Sequence, residues 1–290
     1  MWTNSHRRCL DRLQPLLPED VTSIYNCSAN HAIGKADGFA IYDSVTHDNL
    51  GVVGNVDKGQ PGHLVTANRN KLRQMLMQSL DVKFGKRFSH FEEDASGVTA
   101  FFTDGTSSRG SVLVGADGAS SPVRSQILPG FKPAMSPYIA LHGNVLLDQE
   151  MHTQFLKDGN SGILTGGKSV KAYFALMEYQ DDGRILFNWN CSWKSQNPVA
   201  DYEWAENASQ QELLNLALEM CREFPPYIVE AIRATGPSGM RQPPVKYIET
   251  VLPDIGSPKG HVTLAGDAAH SMVCPQCLDP VDFAVYSNGL

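Results

Sequence analysis

Two short stretches set a carboxylate among small residues directly after an apolar run. Val262-Thr263-Leu264-Ala265 leads into Gly266-Asp267-Ala268-Ala269-His270. Val112-Leu113-Val114 leads into Gly115-Ala116-Asp117-Gly118-Ala119-Ser120-Ser121-Pro122-Val123-Arg124. A short apolar run that ends in glycine and aspartate reads as a strand delivering its acid to the carboxyl edge of a sheet. The small residues that follow can start a helix whose first N–H groups face the same edge. Open α/β sheets bind nucleotides at that edge, and helix N-termini hold phosphate there. Either stretch alone also describes an ordinary junction, because Asp-Gly is a common turn and Asp a common helix cap. Asp117 and Asp267, 150 positions apart in matching contexts, point to one shared site. His270 stands beside this acid, but no G-x-S-x-G nucleophile motif accompanies it, so it reads as a helix-start residue and the catalytic residues stay unknown.

The elements that must position these residues fall into three stretches. Residues 1–132 alternate helix and strand, a partial nucleotide-binding domain with some strands of the second domain inserted. Cys9 to Leu17 reads as a helix stopped by Pro18, and Phe39 to Tyr42 as a strand followed by turn residues Asp43, Asp48, Asn49 and Gly51. Leu72, Met75, Leu76, Ser79 and Leu80 share a helical face, with Arg69 at that helix's start. Val98 to Thr103, Asp104-Gly105 and Ser111 to Val114 read as two strands and a turn.

Residues 133–253 change to a run of strands, Tyr138 to Leu147, Ala172 to Glu178 and Arg184 to Trp189, with Asp181-Asp182-Gly183 as a turn. A helix follows from the capping box Ser209-Gln210-Gln211-Glu212, with Leu213, Ala217, Met220, Cys221 and Phe224 on one face. Strands followed by a helix imply a mixed or antiparallel sheet beside the nucleotide domain. Phe174, Met177, Phe187 and Trp189 have the types of pocket residues, and ordinary core explains each of them better. Residues 254–290 return to the nucleotide sheet and end in a divergent tail. The fold class is therefore α/β: an incomplete Rossmann-like sheet with an α+β second domain.

These motifs resemble the flavin-dependent aromatic monooxygenases, the para-hydroxybenzoate and salicylate hydroxylase family. That family carries G-A-D-G-x-x-S-x-V-R, met by Gly115 to Arg124, and G-D-A-A-H, met by Gly266 to His270. Asn68 to Leu76 is similar to its R-x-x-L-x-x-x-L segment. The resemblance implies that Arg69 reaches a flavin and that Gly266, Asp267 and Ala268 hold its ribityl chain. It further implies that Asp117, Gly118, Ser121 and Arg124 shape a motif serving both flavin and NAD(P)H. The implied reaction uses FAD, NADH or NADPH, and dioxygen to hydroxylate a small aromatic substrate. The flavin carries the hard chemistry, and the protein orients it and excludes water. A halogenase, epoxidase or reductase of the same superfamily, or a non-catalytic remnant, would carry the same nucleotide motifs.

The chain departs from the family at both ends. Among its 25 glycines no two are separated by a single residue, so the G-x-G-x-x-G turn that seats a pyrophosphate is missing. Met1 to Leu10 looks like the helix after a lost βαβ unit, and the run from Val273 departs from the family pattern. The expectation is a truncated or mis-assembled version of a longer flavoprotein that retains FAD weakly or not at all. A net charge of −7 without a Lys/Arg-rich run argues against a nucleic-acid or anionic-membrane partner. The absence of a long apolar stretch and of a signal peptide points to a cytoplasmic protein. Six scattered cysteines argue for reduced thiols and no metal, including Cys274-Pro275-Gln276-Cys277.

Overall fold

The computed structural model describes residues 2–6, 13–19, 21, 23–32, 34–35, 37–43, 46–54, 64–159, 161–166, 170–253 and 257–271. In chain order, β1 (Trp2–His6), β2 (Phe39–Asp43), β3 (Asn49–Val53) and β4 (Leu64–Asn68) precede α1 (Arg69–Leu76). Strands β5 (Phe88–Asp94), β6 (Gly97–Phe102), β7 (Ser107–Gly110) and β8 (Leu113–Gly115) lead into α2 (Pro122–Ile127). Then come β9 (Ala134–Met135), β10 (Tyr138–Leu147), α3 (Gln149–Phe155), β11 (Gly162–Gly166), β12 (Val170–Tyr179) and β13 (Ile185–Lys194). Helices α4 (Pro198–Asn207), α5 (Gln210–Met220) and α6 (Pro226–Ala234) follow, and β14 (Ile248–Glu249), β15 (Val262–Leu264) and α7 (Asp267–His270) complete the order.

Contacts divide the chain into two compact units, Met1–Leu80 with Tyr138–Val245, and Asp81–Pro137 with Lys246–Cys274. This cut interleaves the chain differently from the 1–132, 133–253 and 254–290 stretches. Strands β2 and β3 join the sheet built by residues 138–194, so the first 80 residues group with that sheet.

The first unit is built on a six-stranded sheet in the order β10-β13-β12-β11-β2-β3. It is mixed: β11 and β2 run parallel and the other neighbours antiparallel. The β12–β13 hairpin turns at Asp181-Asp182-Gly183, where Gly183 takes φ +84°, a conformation cheap only for glycine. Side chains alternate across a strand, and one face of the sheet carries Leu141, Val145, Phe174, Phe187, Trp189 and Cys191. That face forms one buried cluster with Phe155, Leu213, Ala217, Cys221, Ile228 and Ile232 from the helices. Phe174, Met177, Phe187 and Trp189 are buried, as their core reading required. Burial of each large apolar side chain contributes about 1.5–3 kcal/mol. The capping box forms as expected, with Ser209 Oγ accepting from Glu212 N and the Glu212 side chain accepting from Ser209 N.

Ahead of β2, the carboxylate of Asp37 is buried and accepts from Ser28 Oγ at 2.8 Å, Asn30 Nδ2 at 2.9 Å, Ser161 Oγ at 2.7 Å and Thr66 N at 2.9 Å. A buried acid needs such partners, and these tie β4 and the start of β11 to the edge of β2.

Three readings of local structure change. Trp2–His6 is a strand paired antiparallel with Leu64–Asn68, not a helix. Main-chain bonds make that ladder, so polar side chains in the sequence carry no signal for it. Asn49 and Gly51 lie in β3 rather than in the preceding turn, because β3 pairs back on β2. The hairpin partner of β6 is Ser107–Gly110, while Leu113–Gly115 leaves that hairpin for another strand. Of the Cys9–Leu17 helix, Gln14–Leu16 is a 3-10 turn and residues 9–12 lie outside the described residues. Cys274 and Cys277 also lie outside them.

Candidate functional site

In the second unit, β15 pairs in parallel with β8, with Val262 opposite Leu113, Thr263 opposite Val114 and Leu264 opposite Gly115. A parallel pair ends both strands on one edge, so the two acid motifs leave the sheet side by side. The register is held from several sides. Glu93 Oε1 accepts from Ser257 Oγ at 2.8 Å and from His261 N at 3.0 Å. Ala265 N donates to Gly115 O at 2.9 Å and Leu113 N to His261 O at 2.8 Å. Gly115 is required by space: a Cβ there would come within 2.8 Å of both Leu264 and Val123. Glu93 was not singled out by the sequence, since its role exists only across distant segments, and Gly115 was read only as the first residue of its motif.

The first motif closes on itself. Gly118 takes φ +84° and turns the chain toward α2. Ser121 is buried and caps α2 by accepting from Arg124 N at 2.9 Å, with Pro122 in the first helical position. Asp117 is exposed, and its Oδ2 accepts from Val123 N at 3.2 Å. The early donors of α2 are therefore satisfied by Asp117 and Ser121, while proline has no N–H to offer. This corrects the expectation that both motifs leave helix N–H groups free.

The second motif stays open. Gly266 sits at φ +59° before α7 with no side-chain cap, and a Cβ on it would meet nothing within 4 Å. Asp267 is exposed, and among the described residues its carboxylate has no hydrogen-bond or ion-pair partner. Ala268 is buried. His270 closes the short helix, exposed.

Arg124 joins the two motifs. Its guanidinium is buried, and Nη1 donates to Ala268 O at 2.8 Å and to Asp267 O at 3.5 Å, while Nη2 donates to Ala119 O. The site thus contains Asp117, Gly118, Ser121, Arg124, Gly266, Asp267 and Ala268 together. Arg69 belongs to the other unit, exposed at the first turn of α1, whose cap Asn68 accepts from Asn70 N and Lys71 N. Among the described residues no cluster of His, Cys, Asp or Glu is arranged to hold a metal, and no helix is long and apolar enough to cross a membrane.

These features fit a flavin's polyhydroxylated chain. A partnerless carboxylate accepts hydrogen bonds from sugar hydroxyls, and the bare backbone at Gly266 admits a close approach.

Residues 29–276 match the sequence profile of the FAD binding domain family. The chain belongs to that family. It is 31% identical over 215 residues to the FAD-dependent monooxygenase thnD of Trichoderma harzianum, covering 72% of this chain and 52% of that protein. The FAD-dependent monooxygenase nscC of Arthroderma otae is 28% identical over 182 residues, covering 59% of this chain and 41% of that protein. The chain thus spans about half the length of these curated relatives. The fold is similar to that of Klebsiella pneumoniae HpxO complexed with FAD and uric acid, with TM-score 0.67 and 22% identity, covering 99% of this chain and 69% of that one. A salicylate hydroxylase substrate complex aligns with TM-score 0.63 and 18% identity, over 94% of this chain and 66% of that one. An FAD-binding member of this family fits both the mixed sheet and the parallel motif pair.

Proposed function

We propose that this chain holds FAD and takes part in hydroxylating a small, aromatic organic substrate, using NADH or NADPH and dioxygen. The observation that carries this reading is the parallel β8–β15 pair with both acid motifs at its carboxyl edge. FAD-dependent monooxygenases among its relatives, thnD and nscC, support the reaction type. When bound, the flavin supplies the redox chemistry of oxygen insertion. The chain's own residues bind and orient. Asp267 would accept from the ribityl hydroxyls, Gly266 leaves room for that chain, Ala268 is the buried foot of the motif whose carbonyl Arg124 holds, and Asp117, Gly118 and Ser121 fix the neighbouring turn. Arg124 acts through position, locking the turn to α7. Arg69 stands on the family resemblance alone and has its own test, a flavin titration of Arg69→Ala.

The deciding experiment follows NAD(P)H consumption with flavin present and traces labelled dioxygen into a phenolic product. Label in the product supports monooxygenation. Consumption with an unlabelled, halogenated or reduced product assigns the chain to another flavoprotein chemistry, and an absence of flavin binding sinks the reading altogether.

A further inference from the structure

On the helix-covered side of the six-stranded sheet, the ends of β2 and β11 form one wall of a cavity of about 190 Å³. Tyr42 and Thr165 stand opposite each other there, in the parallel register of the two strands. Asp158, just after α3, and Tyr227, in the first turn of α6, line the cavity from the helices. All of the lining belongs to the first unit, whereas both acid motifs belong to the second. The walls are anchored, because Tyr42 and Tyr227 pack on the buried cluster of that unit and the Tyr227 ring meets Phe155 edge-on at 5.1 Å. Thr165 is 1% exposed and its Oγ1 has no hydrogen-bond partner. An unsatisfied polar group therefore lies in the same wall, where buried polar groups are normally paired.

The charge in this cavity is unbalanced. Asp158 is half-buried, and its Oδ2 accepts from the Tyr42 hydroxyl. Among the described residues its carboxylate has no ion-pair partner, the neighbouring Lys157 included. Both phenols stay neutral beside it. Burial and the Asp158 carboxylate hold Tyr42 well above the ordinary tyrosine range, and the same two causes push Tyr227 up to about 12. Asp43 adds a second carboxylate to the lining, engaged in part by Thr46 N at 2.8 Å. A carboxylate withdrawn from water is costly without a counter-charge. We propose that this cavity binds a small organic molecule that bears a primary ammonium on an apolar body. The ammonium donates to Asp158 Oδ1 in a charge-assisted hydrogen bond, and the tyrosine rings offer the faces that attract a cation. The apolar body rests against Pro225 and Tyr227. An apolar cavity of about 150 Å³ holds benzene, so the volume here admits a six-membered ring with its amine. This site goes beyond the flavin reading and does not depend on it.

The test measures binding of cyclohexylamine, and of cyclohexanol as a neutral molecule of the same shape, to the 290-residue chain by ligand-observed NMR titration at neutral pH. The amine is expected to bind about tenfold more tightly than the alcohol, a difference of roughly 1.4 kcal/mol. Asp158→Asn should bring the two affinities together and leave that of cyclohexanol unchanged. Asparagine can still accept from the Tyr42 hydroxyl, so the melting temperature should stay close to the native value. Tyr227→Leu keeps the carboxylate and removes one ring, and it should weaken the amine several-fold more than the alcohol, an independent reading should Asp158→Asn fold poorly. Glu178→Gln, at an exposed acid outside the cavity, should keep the full preference. No binding of the amine, equal affinities in the native protein, or a preference that survives Asp158→Asn would overturn the proposal. So would a preference lost equally in Glu178→Gln, which would reduce it to general attraction by an acidic surface. Flavin takes no part in these titrations, so their failure leaves the labelled-dioxygen result untouched, and the reverse holds.

Discussion

Arg124 reaches from the first motif to the second: its Nη1 lies 2.8 Å from the carbonyl oxygen of Ala268, 144 positions further along the chain. The contact turns two separate strand-to-turn junctions into one rigid edge. It also gives the family's arginine a specific task in this chain, because the guanidinium is buried and spent on main-chain carbonyls. A planar fork with five donors serves three carbonyls from one position, which an ammonium cannot match.

Arg124→Leu should therefore weaken the second unit. Each hydrogen bond from a charged donor is worth about 1.5–3 kcal/mol, and the substitution leaves the carbonyls of Ala119 and Ala268 without this partner. A loss of roughly 3 kcal/mol is expected, read from chemical denaturation. Arg124→Lys should recover less than half of it. Full recovery by lysine would show that charge, and not the fork, is what matters.

Asp267→Ala should reduce flavin affinity by roughly ten- to a hundredfold, since a hydrogen bond to a charged group carries about 1.5–3 kcal/mol. Asp117→Ala should affect flavin less. Its carboxylate already serves Val123 N, so its loss appears as about 1 kcal/mol of stability and as slower reduction by NAD(P)H. Flavin titration and stopped-flow reduction of both variants check this, and the reverse ranking would misplace the ribityl contact.

Gly143→Ala tests the packing of the first unit. A Cβ there would stand 2.7 Å from the Trp189 ring, and Trp189 cannot retreat because Nε1 donates to Thr235 Oγ1 at 2.8 Å in a fully buried setting. Overpacking of this kind costs about 1–3 kcal/mol. Thermal unfolding should show a lower midpoint, while Asn144→Ala, at the exposed neighbour, should change it little.

His142 gives the first unit a pH dependence. Burial, with a smaller contribution from Arg241, lowers its pKa from 6.5 to about 4. The unfolded chain takes up a proton near pH 6.5 and the folded chain does not, so stability contributed by neutral His142 is present above pH 6.5. It is lost progressively as pH falls toward 4, by at most about 3 kcal/mol. His142→Gln should flatten the stability profile between pH 4 and 6.5. A parallel profile in the variant would assign the acid sensitivity to other groups.

By itself, the sequence determined what is local. Tyr138–Leu147 is a strand with the bounds its residues announce, and Ser209 with Glu212 starts α5 because the cap closes within four residues. The strands before Gly115 and Gly266 are visible as apolar runs that stop at small residues and an acid. Tertiary structure decided everything that depends on partners far away in the chain. Trp2–His6 is a strand only because Leu64–Asn68 offers it main-chain bonds, and β7 and β8 separate because β8 finds β15. Asp117 and Asp267 look alike as letters and differ in space. The first is engaged by its own helix, and the second stands without a partner among the described residues, because proline and serine at 121–122 let α2 cap itself while Gly266 gives α7 no such side chain.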